Sequence, residues 1–177
     1  MLKPRFLALV ALILAAAATR LLPHPPNMTS VTAVALFGGA YFADKRLAFL
    51  VPLTALVLSD LVLGFYAHME IVYLAFLLVV CIGLWLQKHR NVLTIAGATV
   101  ASSIVFFLVT NFVGFHIDGG LYPVTFNGMV ESYAAGLPFL RNTIVGDLLY
   151  TALLFGGFAL LENRFAALKE QPVPQAA

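Results

Sequence analysis

The sequence predicts an all-α integral membrane protein: one six-helix bundle with both termini on the cytoplasmic side and a long outer loop between the fifth and sixth helices. Three observations lead there. Of 177 residues, 62% are hydrophobic and only 10% charged, and the mean hydropathy is +0.97. A soluble domain is about 45–50% apolar and about 25% charged, so this chain cannot clothe a water-facing surface. The apolar residues gather in segments near the roughly 20 residues that cross a bilayer. The basic residues then fall almost entirely on one side of those segments. The same balance of apolar and charged residues excludes a soluble enzyme and a nucleic-acid binder, and a net charge of +2, with no run of more than two basic neighbours, says little about partners. One cysteine excludes an intramolecular disulfide and any CxxC metal or redox site.

Residues 6–22 form the first predicted span, with Arg20 near its end, where a long side chain reaches the interface. The second, residues 29–43, is short, covering roughly 22 Å, so it starts below the headgroups or packs against protein. Residues 47–65 are interrupted only by Asp60. Residues 71–86 and 92–115 carry no charge, and residues 143–161 hold only Asp147. With the N-terminus inside, Lys3, Arg5, Lys45, Arg46, Lys88, Arg90, Arg164 and Lys169 lie on the cytoplasmic side, and only Arg20 and Arg141 outside. The first segment also fits a signal peptide, with Lys3 and Arg5 before an apolar stretch that ends in the Ala15–Ala18 run. Its removal would leave five spans and spoil the charge split. Residues 1–170 read as one membrane domain and residues 171–177 as a disordered tail.

The outer connections are the richer ones. Pro23-His24-Pro25-Pro26-Asn27 cannot be helical inside, because each proline disfavours helix in its predecessor. Residues 114–140 read as a long loop with five glycines, two prolines and several aromatics; a loop of that length is more often a functional lid than a connector. Phosphate-loop, HExxH and GxSxG motifs are absent, so no ATP-driven machinery is expected within the chain. His24, His68 and His116 share the outer side, but their spacing supports no metal site. Ala11 and Ala15 form one AxxxA pair, of little weight in an alanine-rich run.

Three ionisable or soft groups inside the spans carry more information. An acid within a span costs at least about 2.5–3.5 kcal/mol and normally meets a partner or a cavity. Asp60 and Asp147 both fall about 8 Å below the outer interface, at the depth of Arg20 and Arg141. They are expected to brace the helix ends as Asp–Arg pairs, to line a polar cavity, or to do both. Cys81 lies about 16 Å deep, on a stripe with Tyr73 and Leu77. A cysteine there is a small hydrophobe unless a soft metal centre reaches it and binds its thiolate.

Several stretches together resemble the BtuM family. They are Pro23-His24-Pro25-Pro26-Asn27, Ala35-Leu36-Phe37-Gly38-Gly39-Ala40-Tyr41-Phe42, Leu58-Ser59-Asp60-Leu61-Val62-Leu63-Gly64-Phe65, Thr110-Asn111-Phe112, Tyr122-Pro123, and Pro138-Phe139-Leu140-Arg141-Asn142-Thr143 followed by Gly146-Asp147. That family comprises solitary substrate-binding components (S-components) of the energy-coupling factor type, associated with bacterial cobalamin uptake across the inner membrane. The likeness runs from about residue 5 to 161. It implies a six-helix S-component bundle with an outward-opening pocket, cobalamin as ligand, and no obligatory ATPase module. It also implies that Cys81 is a thiolate ligand to the corrin cobalt, so that loss of cyanide from cyanocobalamin follows. By position, Asp60, Tyr73, Asn111, Tyr122, Tyr133, Arg141, Asn142 and Asp147 are the candidates to hold the corrin rim. Two other readings stay open: an S-component for another small vitamin that docks on a shared ATP-driven module, and a membrane enzyme with Cys81 as nucleophile. The latter lacks a histidine in the same span to act as base.

Overall fold

A computed structural model describes residues 3–117 and 122–170, with side chains described outside 113–117. The described residues are helical, without strands. Helix α1 (Pro4–Ala18) starts on a proline, whose missing N–H costs nothing in a first turn, and tightens into a 3-10 turn over Thr19–Leu21. Helix α2 is Val31–Tyr41, and α3 is Lys45–Leu63. Asp44 caps α3, its carboxylate accepting from the Arg46 N–H at 2.8 Å. Gly64, at φ 92°, ends it in a backbone conformation that favours glycine.

Helix α4 is Met69–Leu86, and α5 is Val92–Ile117. Asn91 opens α5 with a reciprocal cap: its side-chain oxygen accepts from the Thr94 N–H at 2.9 Å, and its own N–H donates to Thr94 Oγ1 at 3.2 Å. Helix α6 (Phe126–Thr151) passes through a π turn at Ala152–Gly156 into α7 (Gly157–Arg164), giving one continuous rod of 39 residues. Five helical stretches are long and apolar enough to cross a membrane; α2, with 11 residues, is the shorter apolar helix.

The architecture is built around α2. Its sequence carries no charge, and residues 30–40 are all buried, as befits a helix that is apolar all round. Helices α1, α3, α4, α5 and α6 pack about it, most extensively α4. The α1–α2, α3–α4 and α5–α6 connections share one end of the bundle, here the upper end. Residues 165–170 and the α2–α3 and α4–α5 connections share the lower end. Outward faces are apolar, with Leu14, Leu50, Leu74, Leu78, Ile104 and Leu153 all exposed, a surface suited to lipid.

The predicted long loop over residues 114–140 is corrected by this structure. Helix α5 continues to Ile117 and α6 begins at Phe126, capped by Thr125, whose hydroxyl accepts from the Gly128 N–H at 3.1 Å. Gly128 and Gly136 do not break the helix. A Cβ on Gly128 would strike the Pro123 carbonyl, and one on Gly136 would stand 2.8 Å from both Asn111 Oδ1 and the Phe107 ring. They are glycines of close approach, and Pro138 lies within α6. What remains between the two helices is residues 118–125, of which 118–121 lie outside the described residues, as does the predicted tail 171–177.

Candidate functional site

A helix as short and as deeply enclosed as α2 leaves orphan N–H groups at its start and orphan carbonyls at its end, with no water to satisfy them. Two side chains from other helices do so. At the upper end, the Asp147 carboxylate of α6 accepts from the backbone N–H of Ala33, in the first turn of α2, and from the Thr32 hydroxyl. The Ser103 hydroxyl of α5 donates to Asp147 Oδ2 at 2.6 Å. Asp147 is only 1% exposed, and a negative group at a helix N-terminus is stabilised by the helix dipole. Gly146 makes this reach available, because a Cβ there would meet Met28 Cγ at 3.0 Å and Met28 Cα at 3.1 Å.

At the lower end, the Gln87 amide donates to the Gly39 and Phe42 carbonyls, both at 2.9 Å. The polar seam beside Asp147 continues downward between α5 and α6: Thr99 Oγ1 donates to the Ile95 carbonyl at 2.9 Å and lies 3.2 Å from Thr151 Oγ1. Ser102, wholly buried, has no hydrogen-bond partner among the described residues.

A second polar cluster joins α1, α3 and α4 at the upper end. Arg20 Nη2 pairs with Asp60 Oδ1 at 2.7 Å, and Arg20 also donates to the Ser59 hydroxyl. The Tyr73 hydroxyl donates to Asp60 Oδ2 at 2.9 Å. Asp60 is 0% exposed. Just above, in the α3–α4 connection, the phenol of Tyr66 is pushed above its ordinary value of 10.0, first by burial and then by the Asp60 charge, with Arg20 opposing.

Of the expected bracing pairs, Arg20–Asp60 forms. Arg141–Asp147 does not: Arg141 is exposed on α6, while Asp147 turns inward to the start of α2. The expected stripe of Tyr73, Leu77 and Cys81 is also split. Tyr73 leans toward α3, and Cys81 is exposed, on the outward face of α4 with Leu74, Leu78 and Trp85. Its thiol is therefore on a different side of α4 from the buried polar clusters.

The remaining candidates largely bond to the protein itself. Asn111 Nδ2 donates to the Phe107 carbonyl at 2.9 Å. Tyr133 donates to the Leu108 carbonyl at 2.9 Å and sets its ring edge-on to Phe107. Tyr133 thus ties the upper halves of α5 and α6 together, whereas the Asn111 bond lies within α5. Asn142 donates to the Pro26 carbonyl at 3.0 Å, tying α6 to the α1–α2 connection. Tyr122 is half-buried just before α6. His116 lies among the residues whose side chains are not described, and no group of three His, Cys, Asp or Glu side chains comes together among the described residues.

Residues 1–170 match a family of unknown function, DUF6580. The chain belongs to that family. No curated protein and no solved structure matches it.

Three features of this DUF6580 chain escape a reading by sequence. Gln87 looks like an ordinary interfacial residue, and Thr32 and Ser103 like the common small polar residues of membrane helices. Their roles arise only from where the ends of α2 fall. The third is a lower-end cluster: Arg5 pairs with Glu162, Arg90 pairs with Glu170 at 2.9 Å, and both guanidinium groups lie over the Tyr41 ring, at 5.8 and 5.0 Å.

Proposed function

We propose that the chain is a six-span membrane transporter component of S-component type, its upper end outside and both termini in the cytoplasm, that captures cobalamin from the outer side. One observation carries the capture role. The α6–α7 helix has 39 residues, well beyond the roughly 20 that cross a bilayer, with Pro138 inside it and with Tyr133 and Gly136 packed on Leu108 and Phe107 of α5. Its upper stretch, residues 126–142, precedes the apolar segment 143–161 read as the last span. That stretch, packed on the upper half of α5, exposes Phe126, Val130, Leu137 and Phe139 beside the polar Glu131, Arg141 and Asn142. An amphipathic wall at the upper end suits a ligand with an apolar body and a polar rim, as a corrin has. The split of basic residues supports the orientation, and the likeness of the motifs given above supports the choice of cobalamin.

Capture and cobalt ligation are separate steps of this reading. With Cys81 on the outward face of α4, a sulfur–cobalt bond requires the corrin to reach that face; capture by the upper part of α6 does not. The test uses full-length protein purified in detergent from cells supplied with cobalamin. A stoichiometric red chromophore, and cobalamin-dependent growth of a deficient host, are the expected results; their absence sinks the capture role. A bound spectrum unchanged by Cys81→Ser would remove sulfur from cobalt and leave capture standing.

A further inference from the structure

Between α5 and the α6–α7 rod, in the lower half of the bundle, a groove of about 640 Å³ opens sideways. Its walls include Ile95, Ala96, Leu148, Ala152, Phe155 and Ala159. Small side chains on both walls leave this space unfilled, and the π turn at Ala152–Gly156 runs along one of them. Tyr41, Arg90 and Asn91 stand at the end nearest the lower face. There the Arg90 guanidinium lies over Tyr41 and pairs with Glu170, which is 61% exposed on its side chain. The same end carries Lys3, Arg5, Lys45, Arg46, Lys88, Arg90, Arg164 and Lys169 against only Asp44, Glu162 and Glu170.

We infer that this groove binds one acyl chain of an anionic phospholipid, whose phosphate takes the place of Glu170 on Arg90. The walls are apolar and the opening faces the side of the bundle, so hydrocarbon rather than water fills it in a bilayer. The cation stands at the level where a headgroup would lie, and a guanidinium binds phosphate through paired N–H donors. The surplus of basic residues selects a headgroup of net negative charge, because a choline cation would be repelled. The same surplus argues against a second copy of this chain as occupant: a two-fold contact along the groove would bring two like-charged ends together. Glu170 is the internal competitor, a carboxylate that holds the guanidinium until a phosphate displaces it. This inference is independent of the cobalamin reading, and neither depends on the other.

The test is native mass spectrometry of the full chain released from detergent with phosphatidylglycerol or phosphatidylcholine of the same acyl chains. The expected result is one retained phosphatidylglycerol under conditions that strip phosphatidylcholine. Arg90→Gln should lower that preference about fivefold, the factor one basic residue contributes near an anionic surface. Glu170→Gln should raise retention, because it removes the competitor without touching the groove. Gly156→Leu projects a side chain into the groove from a position whose Cβ meets nothing within 4 Å, so it should reduce retention while the protein stays folded. Gly157→Leu, equally open but off the groove walls, should leave retention unchanged. Equal retention of both lipids, or wild-type retention in both Arg90→Gln and Gly156→Leu, overturns the inference. So does a dimer that Gly156→Leu dissolves, which would make a second copy the occupant.

Discussion

Replacing Gly83 with alanine should destabilise this protein, although the same change in a helix interior ordinarily stabilises by about 1 kcal/mol. Helices α2 and α4 cross backbone to backbone at Gly39 and Gly83. A Cβ on Gly83 would stand 2.5 Å from the Leu36 carbonyl oxygen and 2.8 Å from Gly39 Cα. Both obstacles are main-chain atoms and cannot rotate aside. Ordinary contact begins at 3.4 Å, so α4 must retreat from α2 by about 0.9 Å. A gap of 0.5–1 Å already forfeits about a quarter to a half of each dispersion contact, and this is the most extensive helix pairing in the bundle. Overpacking costs about 1–3 kcal/mol; the upper half of that range applies here, leaving a net loss of about 1–2 kcal/mol after the propensity gain. Denaturant unfolding in one fixed detergent reads it, with Gly97→Ala as the control, because a Cβ at Gly97 meets nothing within 4 Å and should stabilise. Gly39→Ala should cost a similar amount, and the double variant less than the sum, since the separation that admits one methyl makes room for the other. Gly83→Ala at or above wild-type stability, with the Gly97 control behaving as stated, would refute the close crossing.

The two buried acids give predictions of different shape. Arg20→Met leaves Asp60 buried without its cation and should cost about 3–5 kcal/mol, whereas Arg20→Met with Asp60→Leu should recover most of that. The remainder, about 1–3 kcal/mol, is the unpaired Tyr73 hydroxyl, and adding Tyr73→Phe should remove it; the unfolding series fails if the single and double variants are equally unstable. For Asp147, asparagine keeps one acceptor for the start of α2, while leucine leaves the Ala33 N–H and the Thr32 hydroxyl without it; the Ser103 hydroxyl still reaches the Thr99 carbonyl at 3.1 Å. Asp147→Leu should therefore lose more stability than Asp147→Asn, by about 1–3 kcal/mol. If the leucine variant unfolds with the wild type, Asp147 is not holding α2.

How far the fold is legible in the sequence depends on what each residue type signals. The apolar segments locate all six helical regions because burial in lipid leaves no other use for so much hydrocarbon. Segment ends follow from local caps, such as Asp44 and Asn91, and shift by only a few residues. The upper parts of α5 and α6 are misread for one reason. Glycine and proline are taken there as signs of a loop, but Gly136 admits the close approach of α5 and Gly128 that of Pro123 just before α6, and a sequence does not distinguish a glycine that bends the chain from one that lets another segment approach. The shortness of the segment at residues 29–43 is legible; that its two ends are closed by Asp147 and Gln87 is not, since those partners lie over a hundred and about fifty positions away.

The polar residues of the membrane interior divide on the same principle. Asp60 and Arg20 are of opposite charge and matching depth, so pairing is the expected resolution and the structure has it. Asp147 and Arg141 satisfy the same two conditions, yet they part. The difference is the nearby start of α2, which offers a carboxylate a backbone N–H and two hydroxyls without a second charge having to be desolvated. Arg141 can then remain solvated on the exposed side of α6. An acid within a span thus marks either a counter-charge or an unsatisfied helix end, and depth alone does not say which. Cys81 carries the parallel lesson for periodicity. A four-residue stripe with Tyr73 and Leu77 drifts around a helix of 3.6 residues per turn, by about 40° at each step. By the third member it has left the face of Tyr73 for that of Leu74, Leu78 and Trp85. The thiol therefore stands on the outward surface of α4, so that its environment, rather than its presence in the sequence, decides what can reach it.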